Sequence, residues 1–203
     1  MEGNMQQTII YLHGFLSSPQ SHKAQTTQAY VTAYYPELHL VAPQLPNHPQ
    51  AAMSMLCTLV EQHQGGTIGF IGSSMGGYFS SFLREKYGGK AVLINPAVQP
   101  YHLLADYLGD HVNPYTGQTF TLETCHINEL SLLDTQDLSK PENYWVLLQS
   151  GDETLDYRQA QHKYQQGKLT LEPGGDHSFQ GYERFLPDIF RFLLQDEMNI
   201  GIT

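Results

Sequence analysis

The sequence predicts a three-layer α/β fold, a mostly parallel sheet with helices on both faces. Short apolar, β-branched runs alternate with segments of helical period along the chain. Strands joined through helices at this spacing form right-handed βαβ units, which lie side by side in a parallel sheet covered on both faces. No internal repeat, low-complexity tract or linker interrupts the rhythm. In such an architecture reactive residues sit in loops at the C-terminal ends of strands.

Thr8-Ile9-Ile10-Tyr11-Leu12 reads as a strand buried on both faces. His13 to Pro19 is a loop by its Gly, Ser and Pro content. Ser21 is placed to cap a helix over Ala24 to Tyr34, which Pro36 stops, and Leu38 to Ala42 alternates into a second strand. A loop through Pro43, Pro46 and Pro49 leads to an amphipathic helix from Ala51 to Gln62, closed by Gly65-Gly66. The stretch Ile68 to Gly77 supplies the third strand, a tight turn and the start of a helix, Met75 to Tyr87 is the helix behind Ser74, and Ala91 to Ile94 is the fourth strand, ended by Asn95-Pro96.

Between Ala97 and Pro141 the alternation breaks. Leu103 to Leu108 is expected to be helical and Asn113 to Gly117 to turn. An excursion of this length in a compact domain is expected to roof the active site as a lid. The sheet then resumes with Tyr144 to Leu148, a helix from Tyr157 to Tyr164, a strand from Lys168 to Leu171 and a closing amphipathic helix from Phe185 to Leu194. The expectation is one domain over residues 1–203 with a lid-like insertion around 97–141.

Composition narrows the function. The formal net charge of −10 argues against a nucleic-acid partner, since phosphate backbones are bound through clustered Lys and Arg. No apolar run approaches the roughly 18–20 residues that span a bilayer. Met1 to Gln7 is polar, without a basic region or apolar core, so no export signal is expected. Cys57 and Cys125 do not make a disulfide framework, and a reduced, cytoplasmic setting fits best.

The chemistry centres on Gly72, Ser74 and Gly76, the G-x-S-x-G pattern of a nucleophile elbow. Alone, that string is weak. Its standing comes from the predicted strand, turn and helix around it, and Ser74 rather than Ser73 has glycines two residues away on both sides. A serine hydroxyl needs a base, the base an orienting acid, and the oxyanion donors. The base is His177, in the Gly174-Gly175-Asp176 loop after the last strand. His13 is expected to brace a turn instead. The acid is Asp152, nearest the strand end, with Asp156 as the competitor whose other role is a helix cap. Oxyanion donors are the backbone N–H groups of Phe15 and Met75. The order Ser, Asp, His is that of α/β-hydrolases.

Other chemistries lack their residues. There is no H-E-x-x-H, C-x-x-C, P-loop or dinucleotide fingerprint, so neither a metal nor a cofactor is expected. The expected reaction is hydrolysis of a small-molecule acyl ester or thioester through an acyl-enzyme. Acyl transfer, or binding on a hydrolase fold with little turnover, are the alternatives. Dehalogenases and epoxide hydrolases on this fold need a carboxylate where Ser74 stands.

The whole chain resembles the YqiA family of small bacterial esterases in the α/β-hydrolase superfamily. The stretches that carry the resemblance include Tyr11-Leu12-His13-Gly14-Phe15, Pro43-Gln44-Leu45-Pro46, Gly72 to Gly77, Asn95-Pro96-Ala97-Val98, Asn113 to Gly117, Gly151-Asp152-Glu153, Leu155-Asp156-Tyr157-Arg158 and Gly174 to His177. The resemblance implies a cytoplasmic carboxylesterase acting on acyl esters, with acyl-CoA thioesters as a further substrate class. It leaves the physiological substrate open.

Overall fold

The computed structural model describes residues 7–195. The expectation about Met1 to Gln7, apart from Gln7, and the outer ends of the 1–203 domain lie outside the described residues. The chain begins with β1 (Thr8–Leu12), α1 (His22–Tyr34) and β2 (His39–Val41), then α2 (Pro49–Gln62) and β3 (Ile68–Ser73). α3 (Met75–Tyr87) and β4 (Lys90–Ile94) follow. The excursion holds α4 (Pro100–Leu104), the strands β5 (Gly109–Val112) and β6 (Thr119–Leu122), and α5 (Thr124–Ser131). β7 (Tyr144–Gln149), α6 (Tyr157–Lys163), β8 (Lys168–Glu172) and α7 (Leu186–Leu194) complete the described chain.

Six strands form one parallel sheet in the order β2-β1-β3-β4-β7-β8. Strand alternation sends neighbouring residues to opposite faces. Ile10, Leu12, Phe70, Leu93 and Val146 pack with Leu56 and Val60 of α2 and Tyr78 and Leu83 of α3. Ile9, Tyr11, Ile71, Val92 and Trp145 pack with Val31 of α1 and Phe190 and Leu193 of α7. The result is the predicted α/β/α sandwich, an α/β-hydrolase fold. The chain leaves β1 toward β2 and then crosses back to β3 on the other side. Loops from the ends of β1 and β3 therefore diverge, and a crevice opens between them.

Local differences from the sequence reading have physical causes. Pro49, expected in a loop, begins α2, where its fixed φ and missing N–H suit the first turn. Ser21 precedes α1 but makes no side-chain cap. The helix expected over Leu103 to Leu108 is instead α4 and a 3₁₀ turn over Ala105–Tyr107. The antiparallel pair β5–β6 was not foreseen. Its strands are four residues each and largely polar, too short for periodicity to register. The foreseen turn at Asn113 joins them, with Asn113 Oδ1 accepting from the Tyr115 N–H at 2.9 Å.

The turn between β3 and α3 is crowded to contact. A Cβ on Gly72 would lie 2.4 Å from the Gly76 carbonyl oxygen, and one on Gly76 would lie 2.0 Å from the Leu12 carbonyl oxygen. The first clash is within the turn, as expected; the second is between α3 and β1, and it sets how deeply the helix seats on the sheet. Gly76→Ala is expected to cost about 1–3 kcal/mol or more by overpacking against backbone. Gly65→Ala, where a Cβ would meet nothing within 4 Å, should stay within about 0.5 kcal/mol of the parent. Thermal denaturation of the two variants checks the contrast, and equal stabilities would contradict it.

Candidate active site

Ser74 stands between β3 and α3 with φ 55° and ψ −118°. A non-glycine residue at positive φ stores about 1–3 kcal/mol, so surrounding structure must hold it there. It does so from two sides. The Ser74 N–H donates to the Ile94 carbonyl of β4 at 3.0 Å, and its own carbonyl accepts from Gly77 at 2.9 Å and Ala97 at 3.1 Å. Both turn and neighbouring strand therefore fix the direction of Oγ.

His177, 103 residues further along, brings Nε2 to 3.0 Å from Ser74 Oγ. Its Nδ1 lies 2.8 Å and 3.0 Å from the two carboxylate oxygens of Asp152. The carboxylate fixes the ring proton on Nδ1, leaving Nε2 to accept from the serine hydroxyl. The Asp152 side chain is 2% exposed and that of His177 24%. Asp152 Oδ1 also accepts from the N–H groups of Thr154 and Leu155 at 2.9 and 2.8 Å, which sets its orientation. Asp156 does something else: its Oδ1 caps α6 by accepting from the Arg158 N–H at 3.0 Å. The three residues predicted to act together are thus brought together, and the competing acid is not among them.

Sequence reading missed the side chains that hold the histidine loop. Asn95, buried just past β4, donates from Nδ2 to the carbonyls of Asp176 at 3.0 Å and His177 at 3.3 Å. Its Oδ1 accepts from the Gln149 N–H at 3.0 Å, so one amide ties β4, β7 and the loop together. Buried Gln149 accepts at Oε1 from the N–H groups of Asp176 and Gln180. Glu153, in the same loop as Asp152, accepts the His177 N–H at 3.0 Å. Lys23 of α1 donates to the Ser178 carbonyl at 2.6 Å. Burial lowers this lysine to about 8, against the Asp176 and Asp152 carboxylates, which raise it. A signal existed for Gln149 and Asn95: each is a polar residue at the end of an apolar strand.

Facing Ser74, the loop after β1 comes into contact. A Cβ on Gly14 would meet Ser74 Cβ at 3.3 Å and Oγ at 3.8 Å. Phe15 follows Gly14, and Met75 opens α3, where a first-turn N–H has no intrahelical acceptor. Among the described residues neither amide donates in a turn or loop hydrogen bond. His13 braces this loop, as expected. Its Nδ1 donates to the Gly14 carbonyl at 2.9 Å and its Nε2 accepts from the Leu45 N–H at 3.0 Å. Burial lowers its pKa from the ordinary 6.5.

Away from this centre, Glu123, Cys125 and His126 bring ligand atoms within 4.8 Å of one another. The arrangement is a capping box at the start of α5, in which His126 Nδ1 accepts from the Glu123 N–H. Among the described residues no helix is long and apolar enough to cross a membrane.

Asn95→Ala removes both donors and the acceptor at once, and it should lower stability by about 1–3 kcal/mol for the buried groups left unpaired. Denaturant melts check this; an unchanged midpoint would contradict the assigned contacts. His13 gives a pH dependence of definite sign. The unfolded chain gains its proton near 6.5 while the folded chain resists it, so this contribution is complete above 6.5 and declines as pH falls below. The acid side of the stability profile should flatten in His13→Asn, and an unaltered profile would contradict the account.

Comparison with known proteins adds the relationships. A candidate hydrolase from Agrobacterium vitis S4 is similar in fold, with TM-score 0.73 and 17% identity over 93% of this chain and 88% of that one. Est1E from Butyrivibrio proteoclasticus gives 0.71 and 13% over 95% and 89%. The monoacylglycerol lipase of Paleococcus ferrophilus gives 0.64 and 11% over 92% and 93%. Residues 8–194 match the uncharacterised protein family UPF0227. The chain belongs to that family, the YqiA-like group on the α/β-hydrolase fold.

Proposed function

We propose that the chain is a serine esterase that hydrolyses small acyl esters through an acyl-enzyme. The observation that carries the reading is the relay from Ser74 Oγ to His177 at 3.0 Å and from His177 to Asp152 at 2.8 Å. Ser74 attacks the carbonyl carbon while Nε2 of His177 takes its proton, and the Phe15 and Met75 amides receive the oxyanion. Collapse breaks the ester C–O bond, and His177 returns the proton to the departing alcohol. Water, deprotonated by the same imidazole, attacks the acyl-enzyme and releases a carboxylic acid and free Ser74. A thioester would react by the same steps with a thiol leaving. Residues 97–141 serve in this reading as the roof: Leu104, Leu122 and Leu130 pack into the core cluster that contains Met75. Free Cys57 and Cys125 support a reducing, cytoplasmic setting.

The esterase relatives in fold support hydrolysis as a class, and the burial of Asp152 supports its role over the exposed Asp156. Ser74→Ala should reduce kcat on p-nitrophenyl butyrate by several powers of ten, on the order of 10⁴ or more. Asp152→Asn should cost about 10⁴ by leaving the imidazole in the wrong tautomer, whereas Asp156→Asn keeps an amide oxygen to cap α6 and should leave turnover and stability close to the parent's. Steady-state kinetics of the three variants decide. Near-normal turnover in Ser74→Ala sinks the proposal, and a crippled Asp156→Asn beside an active Asp152→Asn moves the acid.

A further inference from the structure

The segment that carries His177 includes a second strained residue. Phe179 has φ 61°, in the left-handed region, and its ring is buried against Phe185. A residue with a Cβ keeps that conformation only where its surroundings hold it. The peptide between Ser178 and Phe179 is held from both sides. Its N–H donates to the Asp176 carbonyl at 3.1 Å, and its carbonyl accepts from Lys23 Nζ at 2.6 Å. The lysine reaches it from the first turn of α1, 155 positions away in the chain. One ammonium thus fixes the backbone directly after His177.

The charges around this ammonium are mostly acidic. Asp176 and Asp152 both favour its protonated form, and Glu153 sits beside them on the His177 N–H. Asp176 Oδ1 is buried and has no hydrogen-bond partner among the described residues, so its charge is met by the field of Lys23 rather than by a donor. Glu183, His22 and the phenols of Tyr115 and Tyr182 line the same recess, and burial pushes the Tyr182 phenol up. Arg184, in the 3₁₀ turn Tyr182–Phe185, is paired with Glu172 instead.

Burial opposes the lysine's charge and lowers it from 10.5 to about 8. The folded chain therefore releases this proton before the unfolded chain does. Between about 8 and 10.5 the lysine's contribution to fold stability rises with pH. Loss of the charge alters the site without unfolding the chain.

We propose, resting on the esterase reading, that Lys23 is a positioning residue for His177. Its ammonium pins the Ser178 carbonyl and balances Asp152 and Asp176, which keeps the imidazole aligned with Ser74. Deprotonation of this one side chain lowers activity reversibly on the alkaline side.

The test compares the full-length parent with Lys23→Met and Lys23→Arg between about pH 6.5 and 9.5. kcat and KM are measured for p-nitrophenyl butyrate, beside the rate of Ser74 labelling by a fluorophosphonate, which applies the same criteria if the ester is a poor substrate. In the parent the rate should fall about ten-fold around a midpoint near 8, through kcat rather than KM, and recover on return to neutral pH. Lys23→Met should be about ten-fold slower at neutral pH and flat above it. Lys23→Arg keeps its charge throughout this range and should also lose the alkaline fall. Should Lys23→Met not fold, the parent and Lys23→Arg profiles decide alone. The inference is overturned by a fall that persists in either variant, by a Lys23→Met kcat within about three-fold of the parent's, by an effect confined to KM, or by loss of far-UV circular dichroism in the parent over the same range. Each of these leaves the esterase reading in place. A parent that neither hydrolyses the ester nor labels at Ser74 overturns both.

Discussion

The structure depends on a strained backbone at Ser74. A φ of 55° in a residue with a Cβ is unfavourable by about 1–3 kcal/mol, and it persists because hydrogen bonds to Ile94 and from Ala97 close around it. Those bonds exist only if β4 lies beside β3 in the observed register, Ser73 against Ile94. α3, which begins one residue after Ser74, sits deep enough on the sheet that a Cβ at Gly76 would strike the Leu12 carbonyl. The neighbouring strand and the seated helix both bear on the direction of one hydroxyl. The strain is local; the sheet that contains it is not.

The opposite side of the site is organised by polar groups rather than by packing. His177 sits in a loop with two positive-φ glycines, Gly174 and Gly175, and such a loop has no ladder to hold it. Asn95, Gln149 and Glu153 take that role, each bonding to its backbone. Because Asn95 follows β4 and Gln149 ends β7, the loop is referenced to the same central strands as Ser74. The 3.0 Å contact between Nε2 and Oγ is therefore set through the sheet, although the two residues lie 103 positions apart.

Much of this was legible in the sequence, and the parts that were not share a cause. β1, β3 and α3 follow from apolar runs, glycines and a turn whose signals are local, and the observed limits of β1 and α3 agree with the reading. That Ser74, His177 and Asp152 could meet was expected because each lies in a turn or loop that follows a strand periodicity locates. The β5–β6 hairpin was not, because four-residue polar strands carry no alternation above noise. The partners of Asn95, Glu153 and Lys23 were missed for a different reason, although the place of Asn95 at the end of an apolar strand was itself visible. Their roles are contacts to backbone atoms 81, 24 and 155 residues away, and nothing in local composition encodes a partner at that distance.

The central claim is that Ser74, held by this strain and faced by His177, is the nucleophile of the site. The most direct measurement is covalent labelling of the intact chain with a fluorophosphonate, followed by peptide mass mapping. The account predicts one adduct, on Ser74, formed far more slowly when His177 is replaced by alanine. An adduct on Ser73 or elsewhere, none at all, or labelling indifferent to His177 would contradict it.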